Sequence, residues 1–373
     1  MRALSEIRAR YGLPSDSGVL GALAEGQTLP APLYWAPEVH QLEQEKVFAR
    51  SWQYACHESR LARPGDTVLA AAGGIPLVIT RDTGGELRAF VNVCRHRLHP
   101  VVMENGNAGQ LRCSYHGWTY GLDGQLRHAP RQASEPGFDC SAISLRQVAV
   151  ARWDQFVFVN ANPDAAPLTE VTADIRPRTD QLNADLRRYE YRTRFSYAMD
   201  CNWKVWAENA IECYHCPTTH QDSFGKMYGA GAAAYQTISW PDTLWHEAPI
   251  RWVPGGADPA GLTGFRFAFL WPSSFFAVDD LIGFAGSVAP SGPERCSAFT
   301  DMYVRPGTSE AVVSEWLDLW DQVLREDAEA TNRQQAGYRC GQIPAGRLML
   351  SSEHNLQAFM RRTYQALMAE PAG

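Results

Sequence analysis

CRHRLHPVVMENGNAGQLRCSYHGWTYGLDGQL, residues Cys94–Leu126, carries two short pairs of metal-binding side chains, Cys94 with His96 and Cys113 with His116. Sixteen residues separate the pairs. Each pair ends a strand-like run and opens into a turn, where two loops can clasp one ion or cluster. Working outward, from about Phe48 to Asn162 the chain is a series of short runs rich in β-branched and aromatic residues: DTVLAAA, IPLVITRD, LRAFVNVC and QVAVARWDQFVFVN. Turn signals RPGD, DTGGE, ENGNAG and GLDGQ separate them. That spacing predicts a small all-β domain.

The order of donors narrows the chemistry. A zinc finger usually takes two cysteines from one element and two histidines from the other. Here each loop supplies one of each. This suits a [2Fe-2S] cluster with two thiolates on one iron and two neutral imidazoles on the other. A zinc ribbon variant, or two unrelated buried pairs, are the alternatives. His99 and His128 lie nearby without the spacing, and read as surface or outer residues.

The chain has 373 residues and a formal charge of 34 − 41 = −7. A hydrophobic fraction of 45% with 20% charged residues supports a real core and excludes a disordered chain. The length fits roughly two to three domains. The acidic balance argues against a nucleic-acid binder. No run of about 18 or more apolar residues exists, which argues against a membrane span. The start MRALSEIRARYGLP lacks the apolar core of a secretory signal, so the expected location is cytoplasmic. Nine cysteines, an odd number spread over a long chain, do not form a disulfide framework.

Three divisions are expected. Residues 1–47 form an N-terminal segment packing on the catalytic domain, with the Gly/Pro-rich GVLGALAEGQTLPAPLYW running over a surface. Residues 48–162 form the β domain, and Pro163 and Pro167 bound a linker. Residues 163–373 form a larger catalytic domain. There FRFAFLWPSSFFAVDDLIGFAGSVAP and CSAFTDMYV read as sheet, whereas SEAVVSEWLDLWDQVLREDAEATNRQQ and HNLQAFMRRTYQALM read as amphipathic helices. The class is therefore α+β, an antiparallel sheet covered by helices beside a small all-β domain.

A second constellation lies in NWKVWAENAIECYHCPTTH, Asn202–His220. As a helix, Trp203, Trp206, Ala210 and Tyr214 would share a packed face, with Glu208, Glu212 and His215 on another. His215 and His220 would diverge by about 140° on an unbroken helix. Pro217 resolves this by disfavouring helix at Cys216 and redirecting the chain. Two histidines and one carboxylate make the facial triad of non-haem Fe(II). In the long helix, Val312, Trp316, Trp320 and Val323 keep a core-facing rhythm whose next member is Asp327, a charge where an apolar residue is due. A buried carboxylate needs a partner, and a metal is one. Glu326 is its rival. Cys213 and Cys216 read as packing residues.

CRHRLHP and CSYHGWTYGLDGQL resemble the cluster loops of Rieske non-haem iron oxygenases, in their large catalytic (alpha) subunit, and the resemblance runs from about Tyr34 to the C-terminus. It implies Cys94 and Cys113 on one iron and His96 and His116 on the other, with Gly117 and Trp118 as tight turn and packing aromatic. It assigns His215, His220 and Asp327 to a mononuclear Fe(II). Glu212 stands where many relatives carry aspartate, and so resembles the branch acting on quaternary ammonium compounds. The resemblance makes Glu212 a bridge between the mononuclear site and a neighbouring subunit's cluster in a head-to-tail homotrimer. Asn209 and Tyr214 are expected to tune or position the site, or else to be structural. It implies O2 and a small-molecule substrate. Reducing equivalents would come from NAD(P)H through a partner flavin/iron-sulfur reductase or a ferredoxin, since no GxGxxG fingerprint or plant-type ferredoxin cysteine run is present. The expected reaction is hydroxylation or N-demethylation of a small amine or quaternary ammonium substrate. The alternatives are hydroxylation or dihydroxylation of an aromatic or heteroaromatic ring, and a non-catalytic iron-sulfur carrier or zinc-stabilised module. Trp240, Trp245, Trp252, Phe265, Phe267, Phe269, Trp271, Phe275, Phe276 and Phe284 are candidates for a cation cage or an ordinary core.

Overall fold

The computed structural model describes residues 4–225, 236–249 and 264–369, so Trp252 lies outside the described residues. The chain divides into two compact units, one of residues 48–170 and one of residues 1–47 with 171–373.

The first unit is built on an antiparallel sheet of β1 (Gln53–His57), β2 (Asp66–Ala72), β3 (Ile75–Arg81), β4 (Leu87–Val91), β5 (Gly106–Asn107), β9 (Gln147–Trp153) and β10 (Phe156–Asn160). Its order is β1-β10-β9-β4-β3-β2-β5. A smaller sheet joins β6 (Leu111–Arg112), β7 (Thr119–Tyr120) and β8 (Leu126–His128). Successive side chains of a strand face opposite ways, and this unit uses both faces. Leu77, Ile79 and Ala89 enter one core with Cys56, Val68 and Val157. Their neighbours Val78 and Phe90 enter a second core with Leu111, Tyr120, Leu126, Cys94 and Cys113. The two thiols are thus set by hydrophobic packing. The stretch from Pro163 to Pro167, expected as linker, stays with this unit, as does the chain on to Glu170, expected in the catalytic domain; the Trp52 indole N–H donates to the Ala166 carbonyl at 2.9 Å.

The second unit opens with α1 (Leu4–Tyr11), α2 (Asp16–Ala24) and α3 (Pro37–Lys46). Gly18 to Trp35 is no surface run. α2 buries Val19 and Leu23, and the following turn buries Leu29, Leu33 and Tyr34. Ser15 caps α2 by accepting the Gly18 N–H at 3.1 Å, which outweighs the low helix propensity of its glycines. After α4 (Leu168–Val171) and α5 (Arg176–Leu186), the chain makes β11 (Glu190–Met199), α6 (Trp203–Ala210), α7 (Cys216–Thr219), β12 (Gln236–Ser239) and β13 (Thr243–Ala248). It continues with β14 (Phe265–Leu270), β15 (Ser274–Val278), β16 (Ile282–Gly292), β17 (Arg295–Val304), α8 (Glu310–Arg339) and α9 (Leu350–Met368). The sheet is antiparallel in the order β11-β17-β16-β15-β14-β13-β12.

α6 and α8 pack together against this sheet. Asn202 caps α6 by accepting the Lys204 N–H, and donates its own backbone N–H to Gln335 of α8 at 2.9 Å. On α8 the buried stripe is Val313, Trp316, Trp320, Val323, Thr331 and Gln335; it starts at Val313, and Val312 is only partly buried. Asp327 lies on that stripe, midway between Val323 and Thr331, and so faces the loop that follows α6.

Candidate functional site

The two cysteine–histidine loops are built alike. The Leu98 N–H bonds the Cys94 carbonyl at 3.1 Å, and the Gly117 N–H bonds the Cys113 carbonyl at 3.0 Å. Each turn ends in a left-handed residue, Leu98 at φ 59° and Gly117 at φ 75°. A glycine bears that conformation without strain, whereas Leu98 is held in it. Cys94 and Cys113 are buried, while His96 is exposed and His116 half-buried. The two imidazoles meet edge to face, 4.5 Å between centroids, and Trp118 stacks flat on His96 at 5.0 Å. Tyr120 places its hydroxyl 3.3 Å from Cys94 Sγ and accepts the Arg95 N–H. His99 reaches Cys113 Sγ at 3.8 Å. Sulfurs inside and imidazoles outside fit a two-iron cluster with one face to solvent.

The second set is denser. α6 stops at Ala210, short of the expected helix, because Glu212 turns its carboxylate onto the chain. Its Oε2 accepts the backbone N–H groups of Tyr214 and His215, and its Oε1 meets His215 Nδ1. Tyr214 is therefore off the helix and exposed, not on a packed face with Trp203. Pro217 does not bar helix at Cys216. It sits in the first turn of α7, where a missing N–H costs nothing, and α7 brings His220 back toward His215.

His215 Nε2 and His220 Nε2 face each other at 3.2 Å. Asp327 Oδ1 lies 3.4 Å from the first and 3.0 Å from the second. Each imidazole is gripped from behind by a carboxylate, His215 by Glu212 and His220 by Glu326, whose Oε2 is 2.7 Å from Nδ1. Glu326 is itself held by the Ser223 hydroxyl and the Gln322 amide. It therefore backs the histidine and does not compete with Asp327. A ring that donates Nδ1–H outward presents its Nε2 lone pair inward. Two lone pairs and a carboxylate oxygen at these separations fit a cation between them. Burial would lower both imidazole pKa values, but Asp327 and Glu212 at His215, and Asp327 and Glu326 at His220, outweigh it and favour the positive form. Burial would raise the Asp327 carboxyl, and the same two imidazoles hold it well below the usual carboxylate range. Asn209 puts its amide nitrogen 3.4 Å from His215 Nε2. Cys216 Sγ lies 3.9 Å from the same atom.

Two cavities meet this set. One, of about 530 Å³, is lined by Glu208, Glu212, His215, Tyr338, Ile343 and Glu353, and reaches the back of His215. The other is smaller, about 80 Å³, and opens on His215 and Asp327. Phe265, Phe267, Phe275 and Phe284 wall it, as do Trp206, Phe224 and Trp320, which lie outside the expected aromatic set. Of the remaining candidates, Trp240, Phe269 and Trp271 line a separate cleft, and Trp245 and Phe276 are buried away from both cavities. Period two in β15 puts Phe275 and Phe276 on opposite faces, whereas Phe269 shares a face with Phe265 and Phe267 and lines the other cleft because it lies further along β14. Trp206 and Trp320 are readable only once α6 and α8 are known to be neighbours.

Residues 51–150 match the Rieske [2Fe-2S] domain, and residues 186–370 match the ring hydroxylating alpha subunit (catalytic domain). The chain is 28% identical over 347 residues to the choline monooxygenase, chloroplastic, of Arabidopsis thaliana, covering 88% of this chain and 80% of that one. It is 28% identical over 356 residues to the carnitine monooxygenase oxygenase subunit of Acinetobacter pittii, strain PHEA-2, covering 91% and 94%. Among solved structures, a quaternary ammonium Rieske monooxygenase in complex with L-carnitine superposes with a TM-score of 0.81 at 26% identity, over 91% of this chain and 95% of that one.

Proposed function

This chain belongs to the Rieske non-haem iron oxygenases as a large catalytic subunit, and on that premise we propose that its substrate is a small quaternary ammonium compound or amine, hydroxylated or N-demethylated. The observation that carries the choice is the wall of the smaller cavity. It is aromatic on several sides, it carries the carboxylates Glu212 and Asp327, and among the described residues no lysine or arginine lines it. Ring faces and carboxylates attract an organic cation and repel an aromatic acid.

In this reading Cys94, Cys113, His96 and His116 hold the [2Fe-2S] cluster, and His215, His220 and Asp327 hold the mononuclear Fe(II). When bound, the two centres supply electrons and O2 activation, with reducing equivalents from NAD(P)H through a partner flavin/iron-sulfur reductase or a ferredoxin. The chain's own contribution is orientation. Glu212 and Glu326 fix both imidazoles with Nε2 inward, Asn209 sits beside His215, and the aromatic walls keep water from the reacting carbon. Hydroxylation at a carbon bonded to nitrogen leaves a product that breaks its C–N bond, releasing an aldehyde, so hydroxylation and demethylation are two ends of one reaction.

The assembly in this reading is a head-to-tail homotrimer in which the cluster loops of one copy dock at the larger cavity of the next. Exposed large apolar side chains support it. Leu98, Met103 and Tyr115 surround the cluster loops, while Ile343 lines the larger cavity and Tyr214 and Met349 flank its residues in sequence. Heterologous contacts of this kind close rings. Glu212 would stand at the junction, bonded to His215 on its own chain and to His116 of the next.

The test is a product screen with a reductase, NAD(P)H and O2, comparing quaternary amines with aromatic acids. Aldehyde and a demethylated or hydroxylated amine are expected, with matching O2 uptake. A ring diol from an aromatic acid, with no turnover of any amine, would reject the reading.

A further inference from the structure

We propose that Cys216 is a fourth protein donor of the mononuclear pocket, one that a thiophilic divalent ion such as zinc recruits together with His215, His220 and Asp327. The inference rests on the triad reading above and goes beyond it.

Cys216 is the first residue of α7, buried to 3% exposure. Its ligand atom and those of His215 and His220 all lie within 4.8 Å of one another. Zinc bonds nitrogen at about 2.0–2.1 Å and sulfur at about 2.3 Å, so a tetrahedral centre sets N and S about 3.6 Å apart. Cys216 Sγ stands 3.9 Å from His215 Nε2, a few tenths of an ångström outside that separation. The three triad atoms, 3.0–3.4 Å apart, are already at the spacing of a small divalent ion's ligands. A χ1 adjustment of one side chain closes the fourth corner, and the S–H proton leaves to solvent as the thiolate binds.

The consequence is a choice of geometry by metal. Iron in a two-histidine, one-carboxylate site works because positions stay open for O2 and substrate. Zinc prefers four protein donors, binds N/O/S sites more tightly than Fe(II), and is inert to redox. With Cys216 turned in, the site becomes a closed structural zinc site. The sulfur also lines the small aromatic cavity, so turning it in moves it across the face that substrate must use. Zinc therefore blocks this chain by a defined ligand exchange.

The experiment is zinc-edge X-ray absorption on protein whose cluster is intact and whose mononuclear iron has been replaced by zinc; the cluster irons do not contribute at that edge. The expected shell holds one sulfur at about 2.3 Å and three nitrogen or oxygen donors. In Cys216→Ser, with unchanged cluster absorption as the check on folding, zinc should remain with nitrogen and oxygen donors only and bind at least tenfold more weakly. Cys213→Ser should keep the sulfur. A wild-type shell without sulfur, or a sulfur shell that survives in Cys216→Ser, overturns the proposal while leaving the triad reading intact. A zinc shell in His220→Ala that keeps the full wild-type set of nitrogen and oxygen donors would instead overturn the triad reading itself, and the proposal with it.

Discussion

Glu208 is a buried carboxyl that holds its proton. Burial pushes its pKa up to about 8, against the Tyr34 hydroxyl, which donates to Oε1 at 2.8 Å, and the Lys204 ammonium. An unfolded glutamate titrates near 4.3. Between those values the folded state binds the extra proton, so this group's stability is full below about pH 4 and is lost as pH rises through about 8. Glu208→Gln keeps an acceptor for Tyr34 and removes the titration. Its melting temperature relative to wild type should therefore rise from about pH 5 to pH 8; parallel curves for the two proteins would refute the assignment. The residue scale also shows what a sequence discloses. Asp327 is legible because a charge interrupts an apolar helical rhythm. The post of Glu326 behind His220 is not, because it depends on where α7 returns the chain. The turn of Cys216 toward the triad is equally hidden, since Cys–x–x–Cys spacing gives no direction for either sulfur.

At the scale of elements, α6 leads into the site and is anchored at both ends by distant residues. At its start, Lys204 is buried and paired with Glu43 of α3, which also accepts the Trp203 indole N–H at 2.9 Å. At its end, Asn355 of α9 donates to the Ile211 carbonyl. These contacts explain why the helix ends at Ala210 although its sequence would allow another turn: the capping groups come from Glu212's own side chain and from far along the chain. Removing one partner of a buried ion pair leaves an uncompensated charge, typically costing about 3–5 kcal/mol. Lys204→Met should lose stability of that order in denaturant unfolding. Adding Glu43→Gln removes the orphaned charge, keeps an acceptor for Trp203, and should restore part of the loss. No recovery in the double variant would mean that Lys204 acts by packing alone. Strands β14–β17 are readable from their own composition, but β11, with its polar EYRTR start, is recognised only by its pairing with β17.

At the scale of the whole molecule, each ligand set belongs to one compact unit with its own buried residues. His220→Ala should therefore remove the mononuclear iron and turnover while the Rieske absorption and two cluster irons remain; simultaneous loss of both metals in a folded variant would contradict independent sites. The ring proposed above makes a sharper demand, because it separates assembly from electron transfer. Two substitutions address the two steps. Tyr115→Glu with Leu98→Glu places charge on exposed apolar side chains around the cluster loops, where a neighbour would otherwise bury them, without touching a metal donor. Charges buried unpaired at such a contact oppose docking. This variant should run as a monomer in solution, keep the cluster and the mononuclear iron, and lose single-turnover oxidation of the reduced cluster by substrate and O2. Glu212→Gln is the complement. It keeps the shape and the trimer mass but replaces a carboxylate that accepts three donors on its own chain, and in the ring a fourth from the neighbour. An amide has one acceptor oxygen and cannot hold both imidazoles. Cluster oxidation should therefore slow by at least tenfold in Glu212→Gln while the solution mass is unchanged. A Tyr115→Glu/Leu98→Glu monomer that still oxidises its cluster at the wild-type rate would place the electron path within one chain, and the ring would then have no part in catalysis.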